Sequence, residues 1–357
     1  MKIIKYINKI LPLFERKKNV QKFKNVLVVS NTGLGDTILG TPAIKTLRKS
    51  FPELNITFLI NKKMYPLFKG FSHVDDFLLY STGILNQIKL IIELRKKKID
   101  TIFLFHSNGP EDIFFSILSG ANNILKMTDN INHEYKNVFL NEIKKTNNHV
   151  IESKIDLVRI FKPKIIDIEM EMPNHYMKNK NNKINKENNI FYIGLQMGAQ
   201  DSHKMWPIDK FIKLSNILIK KNIKLVIFGA TDLEIKLTNQ LIEKTDKSKI
   251  INICAKSSIQ DLPYWINNLD LLITNDTGTM HLSIALNIPT ISLFGPTDSK
   301  KYGPYQNLEI HDVIQKDGFF VNNVVKKKRT NEGMDLIEVD EVVELVNRRL
   351  FEKKALF

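Results

Sequence analysis

Short apolar runs alternate with amphipathic stretches along most of the chain. Runs of about four to seven apolar residues have the length of buried strands, and the stretches between them repeat apolar residues with helical spacing. In the first half, strands are predicted at 25–30, 55–60, 74–80 and 101–105, with helices at 37–49 and 84–98. In the second half, strands are predicted at 190–195, 224–228, 271–274 and 290–294, with helices at 207–221, 233–245, 279–286 and 339–351. Alternating strands and helices predict an α/β fold with two doubly wound parallel sheets.

Composition divides the chain further. Residues 178–189 are rich in Lys and Asn and poor in apolar residues, which predicts a linker. We therefore expect an N-terminal domain at 25–177 and a C-terminal domain at 190–335, followed by a helix within 336–357. Several short helices and strands are expected in residues 111–160.

Charge and cysteine content limit the classes of function. The 357 residues carry a formal net charge of +15 and one cysteine, Cys254, which excludes an internal disulfide and a multi-cysteine metal site. The charge fits a nucleic acid, an anionic membrane or a phosphorylated substrate, although a general bias toward Lys, Asn and Ile weakens all three interpretations. Nucleic acid ranks last because no zinc-finger spacing or RNA-binding aromatic motif is present. No bilayer-spanning run or signal peptide is indicated, so we expect a cytoplasmic protein.

The first 24 residues form a basic amphipathic segment. Ile3, Ile7 and Leu11 share one helical face, and lysines occupy the others. Such a helix can lie on an anionic membrane surface. The alternatives are a helix packed on its own domain and a frayed tail, and Pro12 would interrupt a helix.

The stretch 271–305 carries the clearest candidate site. A buried strand is followed at once by Asn275-Asp276-Thr277-Gly278 and then by a helix. The free N–H groups of a helix that begins at the carboxyl end of a strand, together with the helix dipole, form an anion site. Asp276, Thr277 and His281 add side chains there. The alternative is that Asp276 or Thr277 only caps the helix.

A second candidate site follows the first predicted strand. Gly33 and Gly35 flank the loop that leads to Asp36, but the dinucleotide fingerprint fails because Ile38 stands where its third glycine would be. A carboxylate between glycines remains at the strand end, where open α/β sheets bind ligands. A helix cap is the alternative for Asp36. His106 follows another predicted strand at the same edge, where a lone histidine is more often structural than catalytic.

Two further features of the second half have structural interpretations. Ser257 and Gln260 have the spacing of a capping box before a helix. Cys254 lies in apolar sequence and is interpreted as a small core residue.

Four motifs in order resemble glycosyltransferase family nine, whose best-known members are ADP-heptose:lipopolysaccharide heptosyltransferases. The motifs are Gly33-Leu-Gly-Asp36 with Thr41-Pro42-Ala43, Lys204-x-Trp206-Pro207, Asn275-Asp276-Thr277-Gly278 with His281, and Gly295-Pro296-Thr297-Asp298. The resemblance runs from about residue 25 to the C-terminal helix. It implies a GT-B fold with an N-terminal acceptor domain, a C-terminal donor domain and a cleft between them. It also implies an inverting, metal-independent transfer of heptose from ADP-heptose, without a cofactor, to a lipid-linked, phosphorylated inner-core acceptor.

The resemblance also implies roles for individual residues. Asp36 would be the general base, in a loop with Gly33, Gly35 and His106 on the acceptor side. Lys204 would bind the donor phosphates with the N–H groups near Thr277 and Gly278. The remaining donor contacts would come from Glu234 at the ribose, from Asp276 and His281 at the diphosphate or sugar, and from Ala199, Gln200 and Ser257 by spacing only.

Other functions stay open at this stage. Gln200, Ser257 and the long segment before Asn25 depart from the best-known enzymes, so another sugar nucleotide or glycan acceptor is one alternative. A sugar-nucleotide epimerase and a non-catalytic GT-B binding protein are others. The expected partners are a nucleotide-sugar donor and a lipid-linked oligosaccharide acceptor, with peripheral contact at the cytoplasmic face of an anionic inner membrane and no nucleic acid.

Overall fold

The computed structural model describes residues 23–106, 110–128, 143–144, 148–173, 186–318 and 330–354. The chain folds into two compact units, Met1–Pro173 and Asn174–Phe357. Nearly all of the predicted N-terminal segment and most of the predicted linker lie outside the described residues. Among the described helices, none combines the length and the apolar character needed to cross a bilayer.

A six-stranded parallel sheet forms the centre of the first unit. Its strands are β1 (Asn25–Ser30), β2 (Asn55–Asn61), β3 (Asp76–Tyr80), β4 (Thr101–His106), β5 (Asn123–Thr128) and β6 (Ile143–Lys144). The spatial order is β3-β2-β1-β4-β5-β6. The helices of this unit are α1 (Leu34–Ile38), α2 (Thr41–Ser50), α3 (Tyr65–Phe68), α4 (Ile84–Lys96), α5 (Pro110–Leu118) and α6 (Val150–Arg159).

The predicted helical pattern over residues 37–49 is divided between two helices, α1 and α2, and α2 begins at Thr41. They meet at Gly40, where an added Cβ would lie 3.2 Å from the carbonyl oxygen of Thr37. Pro42 occupies the first turn of α2, where its missing N–H costs no hydrogen bond. The predicted helix at 84–98 ends earlier, since Lys98 has a positive φ of 51°.

The second unit repeats this architecture. Its strands are β7 (Phe191–Gln196), β8 (Ile223–Phe228), β9 (Ile250–Asn252), β10 (Leu271–Asn275), β11 (Thr290–Phe294) and β12 (His311–Gln315). The spatial order is β12-β11-β10-β7-β8-β9, again with parallel pairs. The helices are α7 (Ile208–Leu218), α8 (Asp232–Glu243), α9 (Leu262–Asn267), α10 (Gly278–Ala285), α11 (Ser299–Tyr302), α12 (Glu332–Asp335) and α13 (Val339–Lys354). Short 3₁₀ turns cover Ser202–Lys204, Lys247–Lys249, Ile259–Asp261 and Leu308–Ile310.

The two sheets share one doubly wound strand order, which confirms the predicted fold class. In each sheet the order reverses between the first and fourth strands in sequence, β1 and β4 or β7 and β10. Open α/β sheets bind ligands outside the carboxyl ends of the strands at this switch point. The switch points therefore mark where each unit would hold a ligand.

The capping box before α9 lies one residue later than predicted. Ser258, rather than Ser257, caps the 3₁₀ turn, and its hydroxyl donates to Asp261 Oδ2 at 2.7 Å. The Ser258 N–H donates to the same oxygen at 3.3 Å. A carboxylate accepts charge-assisted hydrogen bonds, which explains why Asp261 and not Gln260 occupies the third position.

Candidate active site

Asp36 lies on α1 with its carboxylate held on both sides. Its Oδ2 accepts a hydrogen bond from Thr32 Oγ1 at 2.9 Å, and its Oδ1 lies 3.0 Å from His106 Nε2. The side chain remains 36% exposed, so the carboxylate is still accessible to a ligand. The N-cap position of α1 is occupied by Gly33 and not by Asp36. The alternative that Asp36 caps the helix is therefore wrong.

A bulge in β4 brings His106 to Asp36. Val29 pairs with Leu104, but the next residue of β1, Ser30, pairs with His106, so Phe105 is an extra residue on β4. A bulge changes the direction of the side chains beyond it. The expected grouping of Asp36 and His106 at one sheet edge is thus observed in detail.

A buried lysine supports the backbone of Asp36 from behind. Lys154 on α6 is only 2% exposed, and its Nζ donates to the carbonyl oxygen of Asp36 at 3.1 Å. Burial lowers the pKa of Lys154 to about 8, and the nearby Asp36 carboxylate opposes this shift. Lys154 therefore fixes the main chain of α1 through a carbonyl oxygen. No sequence motif indicated this residue.

A pocket of about 1010 Å³ lies at the carboxyl ends of the first-unit strands. Asn31 and Asp112 line it, and Asn31 Nδ2 donates to Asp112 Oδ1 at 2.8 Å. Lys62 and Lys63 contribute exposed cations to the lining. Burial and the Asp112 carboxylate raise the pKa of Tyr80, another lining residue, which keeps its hydroxyl protonated. The pocket thus offers both cations and hydrogen-bonding groups.

Lys204 and Asp276 form an ion pair at the switch point of the second sheet. Lys204 Nζ lies 2.6 Å from Asp276 Oδ2, and the Asp276 side chain is 7% exposed. Thr297 Oγ1 donates to the same oxygen at 2.7 Å. The Thr297 carbonyl is held in turn by Gln315 Nε2 at 2.5 Å. The expected proximity of Lys204 and Asp276 is therefore observed.

Asn275 ties the loop of Lys204 to the end of β10. Its Nδ2 donates to the carbonyl oxygen of Met197 at 2.7 Å, and its Oδ1 accepts from the Trp206 N–H at 3.1 Å. The indole of Trp206 is buried, and its Nε1 donates to the carbonyl oxygen of Ile337 at 3.0 Å. The loop between β7 and α7 is thus fixed at both ends around Lys204.

Helix α10 begins at Gly278 beside this ion pair. Thr277 is its N-cap, but neither Thr277 nor Asp276 makes a side-chain cap among the described contacts, so the capping alternative is wrong for both. Neither of these two side chains therefore accepts a hydrogen bond from the backbone N–H groups of the first turn. His281 lies on the same helix and is buried. The geometry is that of a helix N-terminus with a lysine beside it.

Glu234 caps α8 and also contacts the neighbouring strand. Its Oε2 accepts from the N–H groups of Ala230 and Thr231 at 2.8 and 2.9 Å, forming a capping box with Thr231. Its Oε1 accepts from Gln196 Nε2 at 2.6 Å. An added Cβ at Gly198 would lie 2.3 Å from Glu234 Cγ, so glycine is required there. Glu234 therefore has a structural role that its sequence position did not indicate.

Gln196 links Glu234 to α10. Its Oε1 accepts a 3.4 Å hydrogen bond from Thr279 Oγ1 in the first turn of α10. The structure thus brings Glu234, Gln196 and the N-terminus of α10 to one edge of the second sheet. Gln196 ends a buried strand at the switch point, and this position was the signal that the sequence interpretation did not use.

The positions expected from spacing alone have weaker support. Ala199 and Gln200 lie in the loop after β7, and Ser257 lies between β9 and α9; all three are at least partly accessible. Cys254 is buried, and burial raises the pKa of its thiol, as befits a core residue. In the described part of the chain, no cluster of three or more His, Cys, Asp or Glu side chains is suited to hold a metal ion.

Comparisons with known proteins agree with this architecture. The profile of the family described as "Glycosyltransferase family 9 (heptosyltransferase)" matches residues 131–317, more than half of the chain. Lipooligosaccharide heptosyltransferase 2 of Campylobacter jejuni is 28% identical over 281 residues, which cover 77% of this chain and 82% of that protein. Lipopolysaccharide heptosyltransferase 1 of Campylobacter coli is 23% identical over 343 residues, covering 90% and 97%.

A solved structure extends the likeness to the whole fold. The structure of E. coli ADP-heptose LPS heptosyltransferase II matches with a TM-score of 0.75 and 18% identity, covering 93% of this chain and 100% of that chain. The two doubly wound units thus have the GT-B fold. Together with the profile match, these findings show that the chain belongs to glycosyltransferase family 9.

Proposed function

We propose that this protein transfers heptose from ADP-heptose, with inversion and without a metal ion, to a lipid-linked, phosphorylated inner-core acceptor of lipopolysaccharide. The relatives that it resembles are lipopolysaccharide and lipooligosaccharide heptosyltransferases. The observation that carries the proposal is the position of Lys204, which is paired with Asp276 at the switch point where α10 begins. A cation beside the N-terminus of a helix suits a diphosphate.

The donor's leaving group would be stabilised by these groups. As the bond between the anomeric carbon and the phosphate oxygen breaks, its electron pair stays on the diphosphate. The ammonium of Lys204 and the N–H groups of Thr277 and Gly278 would neutralise that developing charge. Asp276 would orient Lys204 through the observed 2.6 Å contact rather than bind the diphosphate directly. Glu234 would accept from the ribose through Oε1, which has one protein donor among the described contacts.

The acceptor would be activated by Asp36. Its carboxylate would take the proton of the attacking hydroxyl while the new carbon–oxygen bond forms on the face opposite the diphosphate. One base is enough for a single displacement, and that displacement inverts the anomeric carbon. Thr32 and His106 hold the carboxylate, and its 36% exposure leaves room for a hydroxyl. The first-unit pocket would take the phosphorylated glycan, with Lys62 and Lys63 at its phosphate and the acids Glu111 and Asp112 at its hydroxyls.

Product analysis tests this proposal. The full-length protein is incubated with ADP-heptose and with heptose-deficient lipopolysaccharide in the presence of excess EDTA. We expect ADP release only when acceptor is present, with one added heptose detected by mass spectrometry. An epimerised sugar nucleotide formed without acceptor, or no reaction with any nucleotide sugar, would contradict the proposal.

We further propose that the protein acts at the cytoplasmic face of an anionic membrane, through its basic N-terminal segment. Deletion of residues 1–22 should weaken co-sedimentation with anionic vesicles, and salt should weaken binding of the full chain. Equal binding of the full and truncated chains would reduce the segment to a structural role.

A further inference from the structure

An apolar stripe is exposed on α4 of the first unit. Its four members are each between 47% and 75% exposed and are Ile84, Leu85, Ile88 and Ile92. With 3.6 residues per turn, they lie within an arc of about 100° on the helix. Four large aliphatic side chains on one arc form a contiguous apolar surface. Such a surface marks a site of interaction more often than scattered apolar residues do.

The stripe is not needed to hold α4 on the sheet. The face of the helix next to the stripe is buried instead, and its members are Gln87, Ile91 and Leu94. Ile91 and Leu94 belong to the apolar core of the first unit. The helix therefore has an inner face that packs against its own domain and, beside it, an outer face that is exposed in the part of the chain that the structure describes.

Cations accompany the stripe. Lys89 and Lys96 are exposed and lie just beyond one edge of the apolar arc. Glu93 is the only acid of α4, and it lies outside the apolar arc, farther around the helix than the two lysines. An apolar surface bordered by lysines matches the interface of an anionic phospholipid bilayer, where acyl chains lie beneath anionic headgroups. A second copy of a chain with a net charge of +15 would place like charges against each other.

The stripe also lies next to the first-unit pocket. Ser81, Thr82 and Asn86, at the start of α4, line that pocket, and Leu85 and Ile88 lie one helical turn or less away. We infer that the outer face of α4 docks on an anionic phospholipid membrane and holds the pocket beside a lipid-anchored acceptor. This inference rests on the proposed function for the nature of the acceptor, whereas the docking itself does not require catalysis.

Vesicle co-sedimentation of the full chain tests the docking. The vesicles contain phosphatidylglycerol and phosphatidylcholine, without any acceptor glycan. Leu85→Gln/Ile88→Gln removes two exposed side chains of the stripe, and we expect vesicle affinity to fall roughly tenfold or more. The matched control is Leu308→Gln/Leu336→Gln, at residues 61% and 48% exposed in the second unit, and it should bind as the wild type does.

The cationic border is tested separately. Lys89→Gln/Lys96→Gln should weaken binding to anionic vesicles roughly fivefold per lysine, and raised salt should reduce that difference. Lys213→Gln/Lys236→Gln removes two exposed lysines of the second unit and is the charge-matched control. Binding to pure phosphatidylcholine vesicles should respond little to either pair.

Four results separate the possible outcomes. Unchanged vesicle binding by Leu85→Gln/Ile88→Gln would overturn the inference. A shift of that variant from oligomer to monomer in sedimentation velocity would also overturn it, because a second copy would then cover the stripe. Suppose that Leu85→Gln/Ile88→Gln weakens vesicle binding but neither the wild type nor this variant transfers heptose to any acceptor. The docking then stands and the proposed function fails. If both hold, the variant should lose activity on vesicle-embedded acceptor and keep it on a delipidated, water-soluble one.

Discussion

The two units have the same strand order, yet they present opposite charges at their switch points. In the first unit, the carboxylate of Asp36 is 36% exposed and is held by Thr32 and His106. In the second, the carboxylate of Asp276 is 7% exposed and paired with Lys204, so the cation is the more accessible partner. Topology therefore determines where each unit places its polar groups. Burial and pairing determine whether a carboxylate can accept a proton or instead orients a lysine.

The strongest test of this contrast is Asp36→Asn. The amide keeps the shape of the carboxylate but cannot take a proton, so turnover should fall by roughly two to four orders of magnitude. Affinity for ADP should hardly change, since Asp36 is proposed to act on the acceptor. Steady-state kinetics and calorimetric titration of ADP measure the two effects. Asp76→Asn, at an exposed carboxylate paired with Lys97 in the same unit, is the matched control. Near-normal turnover would remove Asp36 as the base.

The two candidate sites also differ in how they bury a lysine. Lys204 pairs with a carboxylate, whereas Lys154 donates to a carbonyl oxygen, and burial lowers the pKa of Lys154 from 10.5 to about 8. Between these two pH values the unfolded chain binds more protons than the folded chain, so stability should rise with pH. The gain over this window should be about 3 kcal/mol relative to the Lys154→Met variant. Urea unfolding from pH 7.5 to 10.5 measures it. A constant difference between the two proteins would show that Lys154 is not held in this way.

Lys204→Ala tests the proposed role of the cation at the switch point of the second unit. Loss of an ammonium–phosphate contact worth about 1.5–3 kcal/mol should weaken ADP binding roughly ten- to a hundredfold. Lys204→Arg should not restore it, because a guanidinium has a different shape from a point charge. Calorimetry with and without magnesium measures this effect, with Lys236→Ala as an exposed-lysine control. Equal affinity for wild type and variant, or binding only with magnesium, would rule out the proposed diphosphate site.

A double-mutant cycle sharpens the same test. If Asp276 serves to orient Lys204, then Asp276→Asn should cost little more affinity once Lys204 is already alanine. Additive losses would instead indicate that Asp276 contacts the donor on its own.

The smallest effect is expected for His106→Ala. This change removes one hydrogen bond to the Asp36 carboxylate but leaves Thr32 in place. A contact to a charged group of about 1.4 kcal/mol corresponds to a roughly tenfold loss of turnover. KM for the donor should stay constant, whereas a general loss of structure would change both. His106→Gln, which keeps a donor, should recover part of the rate.

The sequence predicted those parts of the site whose geometry is determined by local patterns. Strands β1 and β11 match their predicted bounds, because their apolar runs are short and end in polar residues. Asp36, Lys204 and Asp276 each follow a predicted strand, so their placement at sheet edges could be derived from parallel topology. The register of the capping box could not be derived from the sequence, because Ser257 and Ser258 both have the residue type of a cap and only the turn geometry selects one.

Contacts between segments that are distant along the chain could not be predicted from the sequence. Lys154 lies 118 residues from Asp36, and nothing in its own stretch signals that it would be buried against that backbone. The bulge at Phe105 depends on the register of β4 against β1, which no local pattern encodes. Gln315 meets Thr297 only after β11 and β12 pair. Such residues become visible only once the sheets are assembled.

The clamp formed by Asn275 has a consequence for binding entropy. Because one side chain holds both Met197 and Trp206, the loop that carries Lys204 is ordered when the second unit folds. A mobile loop would lose conformational freedom on meeting a nucleotide, at a cost of about 0.5–1.5 kcal/mol for each side chain immobilised. Here that loss occurs during folding, so the ammonium would meet the proposed diphosphate without a further ordering step. The association rate of ADP should accordingly reflect diffusion and charge rather than loop rearrangement.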